Sequence, residues 1–262
     1  MTELSLYQVD AFATQVFEGN PAAVIVLDRF LDDSVMQSIG AENNLAETAF
    51  CVLREDGEYD LRWFTPSVEI DFCGHATIAT AHVLKEALNL SDPFVFHAKI
   101  GRLRVRVDDP DYVLEAPIAE AKEVELSVAM RQAFPMPLSA AFEAGPNLYV
   151  VAETVADIVN FKPDFSAILP LSNHGVGLTA AGQGDYDFTS RFFVPAEGID
   201  EDAVTGSAHA ALGPYWGNIL GKRKMLARQA SPRGGDLKVS VKADRVEIAG
   251  PAVTYLRGTI LI

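Results

Sequence analysis

The sequence predicts an α+β fold of two pseudo-symmetric lobes, each a curved, mostly antiparallel, barrel-like sheet around a central helix. Three observations carry this. The first is an internal duplication. Arg62-Trp63-Phe64-Thr65-Pro66, an acidic stretch and Cys73-Gly74-His75-Ala76-Thr77 are answered by Arg191-Phe192-Phe193-Val194-Pro195, an acidic stretch and Thr205-Gly206-Ser207-Ala208-His209. Gly19-Asn20-Pro21 is answered by Gly145-Pro146-Asn147, and the offsets 191 − 62 = 129, 145 − 19 = 126 and 206 − 74 = 132 drift by only a few residues. The second is a succession of short β-branched and aromatic runs, the composition of strands. The third is a pair of helices, after Gly74 and from Ser207, that begin with small residues on every face. Such a helix suits close wrapping by strands, where larger side chains would clash.

In chain order, strands are expected at residues 4–12, 22–27, 48–53, 59–64, 95–96, 103–107 and 112–114. Gly57, Gly101 and Asp108-Asp109-Pro110-Asp111 fall in tight connections. Asp32-Asp33-Ser34 opens a helix with caps and early acids. Gly74 or His75 opens a second, running through Leu88. In the other half a helix near 127–134 precedes strands at 148–152, 175–179 and 187–193. A helix starts at Ser207, which Gly213-Pro214 should kink or end. Closing strands are expected at 237–241, 245–248 and 254–262, the last returning to pair with the first lobe. The lobes are placed at 1–118 and 119–262, with the boundary near 117–123 and no Gly/Ser linker. Gln229-Ala230-Ser231-Pro232-Arg233-Gly234-Gly235 reads as a turn with one cation.

A chain of 262 residues with 49% apolar content is long enough for two packed lobes. Its net charge of −15 argues against a nucleic-acid partner, which needs a basic face. A small anionic substrate stays open, because a few backbone N–H groups can dominate locally. The two cysteines need no disulfide scaffold. No basic-then-apolar leader and no membrane-length apolar run is present, so a cytoplasmic location and no membrane partner are expected. A homodimer is the default assembly.

The residues that can carry chemistry are few. Glu47 stands where a polar turn enters an apolar strand; a carboxylate there is either partly desolvated and useful as a base, or simply solvated at the strand's entrance. Gly74 and His75 open an apolar helix whose first N–H groups lack internal partners, a setting that favours a carboxylate or phosphate. The same residues also serve a plain turn with His75 as a cap. Asp202 precedes Ser207 by five residues, and Ser207 reads either as an N-cap or as a ligand contact. His82 and His209 read as packing residues. No histidine has cysteine or acid company at a recognised metal spacing, and no nucleotide fingerprint occurs, so no metal and no cofactor is expected.

At these positions the chain resembles the PhzF-like, phenazine-biosynthesis-like isomerase family of the diaminopimelate-epimerase-like superfamily. The resemblance rests on Asp10-Ala11-Phe12, residues 19–24, residues 44–50, residues 62–66, residues 71–77, residues 202–209 and Pro214-Tyr215-Trp216, in that order. It implies an active cleft between the lobes, with Glu47 as general base. It further implies that His75, Asp202 and Ser207 line the pocket, and that the helix starts at Gly74 and Gly206 hold the substrate carboxylate. The epimerase branch uses one cysteine from each lobe; here Cys73 holds the first place but Thr205 the second, and a hydroxyl is far too weak an acid to replace a thiol. Ala203-Val204, between Asp202 and Thr205, departs from the phenazine enzyme's pattern. The expected function is therefore cofactor-independent isomerisation of a small carboxylate, with Glu47 removing the proton and either Glu47 itself, or Asp202 with His75, returning it at another carbon. Its rivals are a racemase or epimerase using Cys73, and a small-molecule binding protein without catalysis.

Overall fold

The computed structural model describes residues 2–262, which divide into two compact units. One comprises the residues up to Ala116 together with Ala249–Ile262, and the other Pro117–Ile248. The second unit ends at Ile248, and the last strand belongs to the first unit.

The first unit is built from β1 (Glu3–Ala11), β2 (Asn20–Leu27), α1 (Asp33–Asn43), β3 (Glu47–Leu53), β4 (Tyr59–Phe64), the short β5 (Glu69–Ile70), α2 (Gly74–His82), β6 (Phe94–Ala98), β7 (Gly101–Asp108) and β8 (Asp111–Pro117). β1 pairs antiparallel with β2, β2 parallel with β3, and β3 antiparallel with β4. β4 pairs antiparallel with β5 and parallel with β6, and β6, β7 and β8 follow antiparallel. The sheet is therefore mixed. Every residue of α2 is buried, and the helix touches β1, β2, β3 and β7. That explains its small side chains: strands approach it from several sides at once. Beyond His82 the expected helix continues only as a π-helical turn, Val83–Ala87.

The second unit contains β9 (Lys122–Val124), α3 (Val128–Ala133), β10 (Leu138–Ala144), β11 (Asn147–Ala152), α4 (Val155–Asn160), α5 (Phe165–Ile168), β12 (Val176–Ala181), β13 (Phe188–Val194), β14 (Ile199–Asp202), α6 (Gly206–Leu220), β15 (Lys224–Gln229), β16 (Gly235–Val241) and β17 (Arg245–Gly250). The pairing plan repeats that of the first unit. β10–β11 is antiparallel, β11–β12 parallel, β12–β13 antiparallel, β13–β14 antiparallel, β13–β15 parallel and β15–β16 antiparallel. The repeated arginines have the same task in both units. Arg62 in β4 grips Glu69 of β5 with two contacts of 2.7 and 2.9 Å. Arg191 in β13 grips Glu201 of β14 with two of 2.7 Å. Finally β18 (Ala252–Leu261) pairs antiparallel with β1, which places the last strand in the first unit.

Two local expectations change. Asp32 stands at the N-cap of α1 but makes no side-chain cap; Asp33 instead receives Arg62 at 2.8 Å. Helix α6 runs on through Pro214 to Leu220. A proline cannot donate to the carbonyl four residues back, and here the Ala119 N–H takes that place, donating to Ala210 O at 3.2 Å. Gly213 is needed at the crowded face, since a Cβ there would lie 2.6 Å from Val239 Cγ1.

Candidate active site

In the first unit the fold brings three separate segments onto one imidazole. Asn20 opens β2, Glu47 opens the adjacent parallel strand β3, and His75 is the second residue of α2. His75 Nε2 lies 2.9 Å from Glu47 Oε2, and Nδ1 lies 2.9 Å from Asn20 Nδ2 and 3.4 Å from Cys73 Sγ. The Glu47 contact is off the line of the ring N–H, so the two are joined by proximity of charge more than by an aligned hydrogen bond. His75 is buried, whereas the Glu47 side chain keeps 12% exposure. The carboxylate therefore lies at the edge of the interior, as a base that must meet a ligand requires. The Asn20 carboxamide can turn either its oxygen or its NH2 toward Nδ1, so the cluster accommodates an imidazole with one proton or two.

Burial alone would draw His75 toward its neutral form, but Cys73 and Glu47 outweigh it and hold the imidazole pKa well above the usual histidine value. Of the two, Glu47 is the real source. Cys73 is buried and its thiol is pushed up to about 12, first by burial and then by the Glu47 carboxylate, so it carries no charge near neutral pH. Cys73 is accordingly a protonated, packed thiol. Three ligand atoms from Glu47, Cys73 and His75 lie close enough to share a cation, company that residue spacing alone did not show. A cation there would have to displace His75 from Glu47 or Asn20 and strip the Cys73 proton. A second such group, Asp56, Glu58 and His97, is an outer ion-pair cluster in which Arg102 and His97 hold the Glu58 carboxyl down at about 2.

In the second unit Asp202 ends β14 and Thr205 is the N-cap of α6. Ser207 is the second residue of that helix, so it is not the cap. Thr205 Oγ1 donates to Asp202 Oδ2 at 2.6 Å. Neither α2 nor α6 has a side-chain cap hydrogen bond at its start. Gly74 and Gly206 thus each begin a buried helix whose leading N–H groups are not closed by the N-cap side chain, which favours an anion. His82 and His209 are core residues. His82 sits between Tyr112 Oη at 3.1 Å and Thr254 Oγ1 at 2.9 Å, and His209 lies 2.8 Å from Thr205 O. Burial lowers both to about 4. Asn20 and Gln229 were not singled out by sequence reasoning. The duplicated Gly19-Asn20-Pro21 landmark contained the first, and the segment 229–235, read as a turn, began with the second.

The sequence pattern of phenazine biosynthesis-like proteins, PhzC-PhzF, matches residues 9–258. An uncharacterized isomerase of Pseudomonas aeruginosa is 45% identical over 259 residues, 98% of each chain. The crystal structure of a PhzF-family phenazine biosynthesis protein from Enterococcus faecalis superposes with a TM-score of 0.95 at 42% identity, covering all of both chains. A hydroxyproline epimerase from Agrobacterium vitis, at 9% identity, covers 98% of this chain and 92% of its own with a TM-score of 0.68, a likeness of fold alone. Sequence relatives and fold together define an isomerase with the diaminopimelate-epimerase-like α+β architecture. The chain belongs to the phenazine biosynthesis-like, PhzC-PhzF family. Among the described residues no helix is long and apolar enough to cross a membrane.

Proposed function

We propose that this protein isomerises a small carboxylate without a cofactor, with Glu47 removing a proton from carbon and His75 steadying the charge on Glu47. The observation that carries this reading is the Glu47–His75 pair, a carboxylate at the edge of the interior 2.9 Å from a buried imidazole. Proton abstraction beside a carbonyl or an unsaturated system needs a positioned base, and proton return needs the same group in its acid form or a second group. The protonated His75 stabilises the Glu47 carboxylate before abstraction, and Glu47 itself carries the proton and returns it. The leading N–H groups at Gly74, on the helix that carries His75, hold the substrate carboxylate and stabilise developing charge.

Small carboxylates with a carbonyl or a double bond next to an acidic carbon, incubated in deuterium oxide, provide the test. Wild type is expected to incorporate deuterium, and Glu47→Gln to slow incorporation by roughly 10²-fold or more. Equal uptake by both proteins would remove Glu47 from the base role. A racemase reading built on Cys73 fits less well, because its thiol is protonated and buried. Cys73→Ser is therefore expected to keep most of the exchange rate; a loss as deep as that of Glu47→Gln would restore the thiol to the chemistry.

A further inference from the structure

Gln229, the last residue of β15, is fully buried and spends its whole carboxamide on the turn that presents Asp202 and the start of α6. Its Oε1 accepts from the Thr205 N–H at 2.7 Å. Its Nε2 donates to the Asp202 carbonyl oxygen at 2.9 Å and to Thr205 Oγ1 at 3.1 Å. The backbone N–H can only donate, so it identifies which end of the amide is oxygen, and the other end must be the NH2. Thr205 Oγ1 then accepts from Gln229 and has a single proton to give. The group facing it is Asp202 Oδ2, 2.6 Å away.

We propose that Gln229 is a positioning residue that fixes the direction of the Thr205–Asp202 hydrogen bond, so that Thr205 always donates and Asp202 always accepts. Accepting a hydrogen bond at this oxygen favours the ionised form of a carboxyl group over the protonated one. Building on the function proposed above, this disfavours Asp202 as the resting store of the returning proton, which then comes back from Glu47. The arrangement also explains why a neutral glutamine, not a glutamate, occupies the end of β15. A carboxylate there could accept from the Thr205 N–H, but it could not donate to the Asp202 carbonyl.

The test reads the Asp202 carboxyl directly, by 13C NMR of protein labelled at aspartate carboxyl carbons, with the signal assigned by its loss in Asp202→Asn. Gln229→Met and Thr205→Val are each expected to raise the Asp202 titration midpoint by about one pH unit. The double variant should move it no further than either single one, because both break the same path. Thr205→Ser, which keeps the hydroxyl, should restore the wild-type midpoint. An unmoved midpoint in Gln229→Met, or shifts that add in the double variant, would overturn the proposal. If Gln229→Met does not fold, the wild-type Thr205 hydroxyl proton decides. It should exchange slowly and move strongly on Asp202→Asn, and a hydroxyl proton indifferent to that change overturns the assignment. No substrate enters these measurements, so their failure is distinct from a failure of Glu47 as base.

Discussion

Arg191→Met is expected to destabilise the protein by about 3–5 kcal/mol, because it leaves the Glu201 carboxylate largely buried with its fork partner gone. The side chains of the pair are only 8% and 10% exposed, and the two 2.7 Å contacts have the parallel geometry that a guanidinium offers a carboxylate. Arg191 also reaches the end of α4, where Nη1 donates to Phe161 O at 2.6 Å, and its guanidinium lies over the Phe193 ring at 5.2 Å. Methionine keeps much of the stem's packing but meets none of these polar demands. Urea unfolding of Arg191→Met, Glu201→Gln and the double variant measures the coupling. The double should lose clearly less than the sum of the singles. A loss below about 1 kcal/mol in Arg191→Met, the range of exposed pairs, would mean that the pair is solvated in solution.

Gly19→Ala is expected to cost about 2–5 kcal/mol, the sum of a left-handed backbone imposed on an L side chain and of overpacking. Gly19 has φ +63°, and a Cβ there would fall 2.1 Å from the Ala11 carbonyl oxygen and 2.9 Å from Ala13 Cβ. Backbone on one side and the next turn on the other leave no soft neighbour to give way. The displaced segment carries Asn20, so the Nδ1 side of His75 is disturbed together with the fold. Gly57→Ala supplies the comparison. Its φ is +83° but nothing lies within 4 Å of the added Cβ, so only the backbone cost should appear. Equal thermal shifts for the two variants would show that the contact with Ala11 is not the cause at Gly19.

Much of this architecture was legible because the strands advertise themselves. Residues 59–64 and 22–27 are dense in β-branched and aromatic side chains, and the duplicated Arg-aromatic-aromatic triplets mark the same strand in each unit. β15 was missed because Lys-Met-Leu-Ala-Arg-Gln has no such signature; its strand character comes from its neighbours β13 and β16. Gly213-Pro214 was read as a kink or an end because the rule concerns a carbonyl without a donor; the helix does not end there, and the donor to that carbonyl comes from Ala119, far away in sequence. The same reason governs the site. Glu47 and His75 could each be named from local context, yet their contact depends on β3 lying beside β2 and under α2. Gln229 was unreadable, since its role consists entirely of partners at 202 and 205.

Because β18 completes the first unit by pairing along β1, the half of the protein that is synthesised first is finished last. During synthesis the edge of β1 from Glu3 to Ala11 has no partner on that side until Ala252–Leu261 has been made. An open strand edge is a template for pairing with other chains. The first unit, carrying Glu47 and His75, therefore keeps that edge unpaired while the whole second unit is being made. The second unit, by contrast, is complete once Ile248 has been made.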